Sequence, residues 1–304
     1  MDQATRLRSI VKKESSKIYK LNSDETNGSP IGENTPRVIA VTSGKGGVGK
    51  TNIVGNLAIV LQQMGKRVLI FDADLGLANI DIIFGLNVKY NIDDVIRGEK
   101  ELSEIIVKGP EGVSVIPSSS GIDEMTHLTE GHKINLLSEF DDLNNTYDVL
   151  LIDTGAGIAS NVIYFNLAAQ ERILVVTPDP TSIADAYAIL KVMFSNHGTD
   201  HFHVLLNMVK DSQEAKSVFK HLSNVVDKFL IGVSLEFAGY IPRDDFLQKA
   251  VGKREPVVCS YPRAFSSNRF RKLADYVLNR ASKRPIDGNI KFFWKKLVNS
   301  RTAG

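Results

Sequence analysis

The chain has 304 residues, of which 43% are apolar and 24% charged. That mixture can bury a core, and it excludes both wholesale disorder and a coiled-coil rod. No run of about eighteen apolar residues occurs, which excludes a spanning helix. The single cysteine, Cys259, excludes an intramolecular disulfide, a CxxC redox pair and a thiolate cluster, so a reduced, cytosolic compartment is expected. The net charge of +2 is uneven: residues 1–20 hold six basic against two acidic groups, residues 283–304 six against one, and residues 37–282 sum to −4. An anionic partner is therefore expected at the ends, and direct nucleic-acid binding by the body is not.

In chain order, residues 1–20 lack the apolar stretch of a secretory signal, and Leu7, Ile10 and Val11 suit a short basic helix. Residues 21–36, rich in Asn, Ser, Gly, Pro and Thr, read as a flexible linker. From Val38 onward, short β-branched runs alternate with helical segments: 38–42, 67–72, 113–117, 148–153, 172–178, 202–209 and 236–242, with a helix starting near Ala264 and the domain closing by residue 282. The runs are apolar on both faces. The pattern predicts an α/β fold with a doubly wound, mostly parallel sheet and helices on both sides.

The first strand is followed by GKGGVGKT, Gly44 to Thr51, and then by a helical segment. This is the strand–loop–helix setting that G-x-x-x-x-G-K-[ST] requires. Gly44, Gly46, Gly47 and Gly49 let the backbone turn its N–H groups, with those of Val48 and Asn52, toward phosphate oxygens at a helix N-terminus. Lys50 supplies a cation to the β- and γ-phosphates, and the Thr51 hydroxyl is a ligand for Mg²⁺. The second strand ends in Asp72 and Asp74, which we expect to point opposite ways and to have different tasks, with Asp72 a loop or metal-shell organiser or a cap of the next helix. The strand at 148–153 ends in Asp153, the pattern that holds Mg²⁺ or its waters, and Gly155 and Gly157 allow the following loop to move. NMVKD at 207–211 lacks the Lys beside Asn of a guanine motif, which favours ATP. The six histidines show no metal-site spacing and read as ordinary.

Lys45 makes the loop K-G-G-x-G-K-T, which resembles the deviant phosphate loop of the MinD/ParA superfamily of ATPases. The resemblance spans roughly residues 37–280. DADLGLANIDIIFGL (72–86), TGAGI (154–158) and TPDPTSIADAYAILK (177–191) look most like its FlhG/FleN branch, which regulates the number and placement of bacterial flagella. The resemblance implies that Lys45 reaches across an ATP-bound homodimer to the partner's phosphates, that Asp74 orients the attacking water, and that Asn207, Pro242 and Asp244 lie around adenine. Asp2-Gln3-Ala4-Thr5-Arg6-Leu7-Arg8 fits the branch's D-Q-A-x-x-L-R start, which implies that Gln3 assists hydrolysis in an FlhF-type signal-recognition GTPase. A flagellar switch-complex protein or transcription regulator is the other implied partner. A division-site (MinD) or DNA-partitioning (ParA) ATPase is the alternative.

In the tail, Ile290, Phe293, Trp294, Leu297 and Val298 fall at i, i+3, i+4, i+7 and i+8, with Lys291, Lys295 and Lys296 away from the stripe's centre. Aromatics opposite lysines describe an interfacial helix on an anionic membrane, at the inner face of the cell membrane and at a pole if placement is the task. A helix docked on its own domain is the other reading. Half-burial of Phe292, Phe293 and Trp294 gives roughly 6–9 kcal/mol. Ordering the segment costs on the order of 10 kcal/mol, and each lysine returns about 1 kcal/mol near anionic lipid. One copy is marginal, and two copies held in a dimer bind stably.

Overall fold

A computed structural model describes residues 36–74, 79–117, 143 and 146–279. The N-terminal motif with Gln3, the linker and the tail stripe Ile290, Phe293, Trp294, Leu297 and Val298 lie outside them. The described part is built on β1 (Arg37–Ser43), α1 (Lys50–Gln63), β2 (Val68–Ala73), α2 (Ile80–Phe84), α3 (Ile92–Ile96), α4 (Leu102–Ile105), β3 (Val107–Lys108) and β4 (Ser114–Ile116). It continues with β5 (Val149–Ala156), α5 (Ser160–Ala168), β6 (Glu171–Val176), α6 (Pro180–His197), β7 (His201–Val209), α7 (Ser212–Phe229), β8 (Ser234–Pro242), α8 (Asp245–Gly252), α9 (Val257–Ser260) and α10 (Phe265–Asn279).

The strands form one eight-stranded sheet in the order β3-β4-β2-β5-β1-β6-β7-β8, parallel except for β3 against β4. This is the expected doubly wound sheet. The short β3, two residues long, has too little periodicity to be seen in advance. Successive residues of one strand serve opposite layers. Ile39 and Val41 meet α1 and α10, whereas Val38 and Ala40 face the layer that contains Phe165 of α5. The outer strands β6 and β7 bury Leu174, Val176, Val204 and Leu206 under α6 and α7.

Helix α1 is buried on nearly every side, from Ile53 to Leu61. Gly55 makes room for this: a Cβ there would stand 3.0 Å from the Phe84 ring. Asn56, inside the same helix, donates to Asn52 O (2.8 Å) and accepts from Val258 N (3.2 Å), which ties α1 to α9. The helix that follows the loop is therefore rigid, and its first turn is fixed relative to the sheet. Chain order reverses around β1, with β2 and β5 on one side and β6 on the other. The crevice at the carboxyl end of β1 is the place where such sheets bind ligands.

Candidate functional site

The loop between β1 and α1 occupies that crevice. Two of its glycines are compelled by geometry. At Gly44 a Cβ would stand 2.1 Å from the backbone oxygen of Asp185, so α6 packs directly on the loop's backbone. Gly49 caps α1 with φ +90°, in the left-handed region, and a Cβ would lie 2.6 Å from Asn207 Nδ2. Gly44→Ala should therefore displace the loop from α6, weaken nucleotide binding at least tenfold and lower the melting temperature. Titration with a fluorescent ATP analogue and a thermal melt check both.

Lys50 is 7% exposed and donates to Ser43 Oγ at 3.1 Å. Burial lowers its pKa from the usual lysine value, and the charges of Asp153 and Asp74 pull it back up. Ser43 in turn donates to Lys45 O (2.7 Å), so the strand's last residue holds both lysines' segments. Thr51 is half-buried beside Asp153, and Asn52 occupies the same first turn of α1.

Asp153 is fully buried, and neither of its oxygens accepts a hydrogen bond of normal geometry, although the Thr51 hydroxyl is near enough to favour the charged form. Burial, then the charge of Asp72, pushes its carboxyl up to about 8. An orphaned carboxylate next to a hydroxyl at a phosphate loop is an all-oxygen donor set that suits a hard divalent cation. Mg²⁺ thus fits: Thr51 and Asp153 would hold it, and it would neutralise charge on the β- and γ-phosphates.

Asp72, 1% exposed, is committed elsewhere. Its Oδ1 accepts from Asp74 N (3.2 Å), and its Oδ2 accepts from Asn79 N (3.2 Å) and Ile80 N (3.4 Å). It organises its own loop and satisfies the first donors of α2, leaving Asp153 as the carboxylate with open lone pairs. Burial, in spite of these bonds, raises its pKa to about 6.

The expectation that Asp72 and Asp74 point apart is corrected. Residues two apart on a strand share a face. Asp72 pairs with Asp153 across β2 and β5, and a Cβ on Gly155 would lie 3.5 Å from Asp74 Oδ1. The charges of Asp72 and Asp74 both reach Asp153, and that of Asp74 also reaches Lys50, Asp74 being nearer to solvent. A second correction concerns β5, which runs three residues past Asp153 to Ala156 and pairs Ala156 with Ser43. Gly157 follows with φ +87°, its N–H on Ser43 O at 2.9 Å.

Lys45 does not join this cluster. Its Nζ donates to Thr181 Oγ1 (2.6 Å) and to Asp179 Oδ1 (3.1 Å), at the start of α6. Asp179 caps that helix through Ser182 N (2.9 Å). Bonds from Thr177 first, then Thr181, Ser182 and Lys45, hold its carboxyl well below the usual carboxylate range. Beside this ion pair lies a cleft of about 140 Å³ between the loop and Thr177, Met208 and Arg243.

The three positions expected around the base divide. Asn207 is present, but its amide donates to Val48 O (2.7 Å) and its oxygen accepts from Met208 N (2.9 Å), so it braces the phosphate loop. Pro242 is buried at the end of β8. Asp244 is not turned to the site. Its Oδ1 caps α8 at Phe246 N and its Oδ2 accepts from Ser266 N, both at 2.9 Å, which holds α8 to α10. Met208, at φ +58°, and Arg243, which donates to Met208 O at 2.9 Å, form the cleft wall instead. Arg243 belongs to the turn expected beside the base, whereas Met208, Ser43, Asp179 and Thr181 carry no such expectation from the sequence. D-P-T-S does spell a helix cap, but its nearness to Lys45 follows only from β1 and β6 being neighbours.

Such a loop, with a buried lysine and a buried strand-end aspartate at the switch of a parallel sheet, defines a P-loop nucleotide-binding protein. Residues 36–216 match the family described as an AAA domain. The chain is 43% identical over 268 residues to the antiactivator FleN of Pseudomonas aeruginosa, spanning 88% of this chain and 95% of that one. It is 33% identical over 266 residues to the flagellum site-determining protein YlxH of Helicobacter pylori, 86% and 90% covered. Among solved structures, the septum site-determining protein MinD of Pyrococcus horikoshii, complexed with Mg-ADP, matches with TM-score 0.64 and 25% identity over 80% of this chain and 96% of that one. The chain belongs to the MinD/ParA family of P-loop ATPases, in its FleN/FlhG branch.

Proposed function

We propose that this chain is an ATP-switched regulator of flagellar number or placement. ATP and Mg²⁺ close a homodimer, and the dimer docks on the anionic inner face of the cell membrane through the stripe at 290–298. Its N-terminal segment presents Gln3 to an FlhF-type GTPase, and slow hydrolysis returns the monomer. The similarity to the flagellum site-determining protein YlxH supports the flagellar assignment, and a flagellar transcription regulator or switch-complex protein is the further partner. The protein is cytoplasmic between membrane visits; among the described residues no helix is long and apolar enough to cross a membrane.

The observation that carries the cycle is the position of Lys45. Two lysines share one loop, yet only Lys50 belongs to its own subunit's cluster, while Lys45 is parked on Asp179 and Thr181 about half-exposed. A cation held outside its own site by one partly exposed pair, worth no more than about 1 kcal/mol, is available to a partner's phosphates, where it adds charge only after dimerisation. With ATP, light scattering should show wild type moving from monomer to dimer, Lys45→Ala staying monomeric and Asp74→Ala remaining dimeric. A Lys45→Ala protein that dimerises like wild type overturns the cycle. Retention of an FlhF-type GTPase by the intact chain, lost on removing residues 1–20, separates this reading from a division-site ATPase.

A further inference from the structure

At the opposite end of the sheet from the phosphate loop, the strand starts bring two histidines and a glutamate together. His201 and His203 are two residues apart on β7 and so share a face. His203 pairs directly with Glu236 of β8. One ring nitrogen from each histidine and one carboxylate oxygen lie within 4.8 Å of one another. His203 Nδ1 is 3.4 Å from Glu236 Oε2, and His201 Nε2 is 3.7 Å from Glu236 Oε1. Two donors bound to one ion at about 2.1 Å with a tetrahedral angle stand about 3.4 Å apart, and each histidine is already about that far from the carboxylate.

The surroundings suit such an ion. His203 is 7% exposed, and its other nitrogen, Nε2, faces Glu171 Oε2 at 3.7 Å. Arg37 grips Glu171 with three hydrogen bonds of 2.6–2.8 Å. A carboxylate behind the second ring nitrogen is the arrangement that orients a metal-bound histidine and strengthens it as a ligand. Tyr276 of α10 places its hydroxyl 2.8 Å from His203 Nδ1 and 3.4 Å from Glu236 Oε2. It occupies the mouth and must yield Nδ1 when that nitrogen turns to an ion. His201, about one-third exposed, opens the site to solvent.

We propose that His201, His203 and Glu236 form a binding site for a transition-metal dication, Zn²⁺ in the first instance. Two imidazoles and one carboxylate suit Zn²⁺ or Co²⁺ rather than Mg²⁺. The ion braces β7 and β8 next to Tyr276 and Val277, whose carbonyl accepts from Arg37. It therefore stiffens the end of the domain at which β1 begins and α10 stops.

The test is a titration of the untagged full-length chain, stripped of metal, with CoCl₂ followed by ligand-field absorption and then competition by ZnCl₂. An Asp153→Asn background removes the phosphate-loop carboxylate from the count. One ion per chain is expected, with affinity reduced at least tenfold by His201→Ala and by Glu236→Gln. Tyr276→Phe, which removes only the competing hydroxyl, should leave affinity equal or higher, whereas a plain hydrogen-bond network would be weakened by it. Zn²⁺ at a hundredfold excess over Kd should raise the melting temperature by roughly 5–10 °C, and not in His201→Ala. If His201→Ala fails to fold, His201→Gln takes its place. Unchanged stoichiometry and affinity in both ligand variants, or no ion bound at submillimolar concentration, overturns the site.

Discussion

Exchanging Lys50 for alanine should reduce phosphate release from ATP by about 10²–10³-fold, the loss expected when one preorganised charge is removed from a phosphoryl-transfer site. The size follows from where the cation stands. Lys50 is buried and bonded to Ser43, so it is already in place before nucleotide arrives and needs no reorganisation to meet the phosphates. Burial lowers its pKa, and the charge of Asp74, with that of Asp153 once ionised, opposes the lowering. Without it the incoming triphosphate faces Asp72, Asp74 and Asp153 with Mg²⁺ as the one balancing cation of its own subunit. The fold itself should survive, because the α1 core from Ile53 to Leu61 is untouched. A malachite-green assay beside a thermal melt separates the two effects. Hydrolysis within tenfold of wild type would show that another cation neutralises the γ-phosphate.

Much of this site could be read from the sequence because its parts are local. Four glycines, Lys50 and Thr51 lie within eight consecutive residues, and the strand before them and helix after them carry their own periodicities. Asp153 was legible for the same reason, as the polar end of an apolar run. What was hidden depends on pairing between distant segments. The shared face of Asp72 and Asp153 needs the β2–β5 register. The contact of Lys45 with Asp179 needs β1 beside β6. Asn207 braces Val48 only because its strand ends beside the loop, and Asp244 is withdrawn from the site by Ser266, 22 residues later. The meeting of His203 with Glu236 is again a matter of register, across 33 positions that no spacing rule links.

The same burial that orphans Asp153 makes Mg²⁺·ATP binding a proton-releasing event. With its carboxyl pushed up by burial to about 8, Asp153 is mainly protonated at pH 7 before ligand arrives. A carboxyl must lose that proton to become a metal ligand. About one proton per chain should therefore leave on binding at pH 7, and few at pH 9, where the group is already ionised. Calorimetry in two buffers of different ionisation enthalpy measures this directly. The ligand-free protein should show the matching signature. A folded-state pKa raised from 3.8 contributes stability that is fully present below about pH 4 and is lost as pH rises through about 8. Asp72, raised to about 6, has the same sign over a lower window. Lys50 has the opposite sign, and Asp153→Asn also removes the Asp153 charge that raises the Lys50 pKa, so the melting comparison reads Asp153 together with its effect on Lys50. The melting temperature of wild type should fall relative to that of Asp153→Asn between pH 5.5 and 8.5, and the variant should release almost no proton at pH 7. Equal proton release by the two proteins would place the ionisation elsewhere in the site.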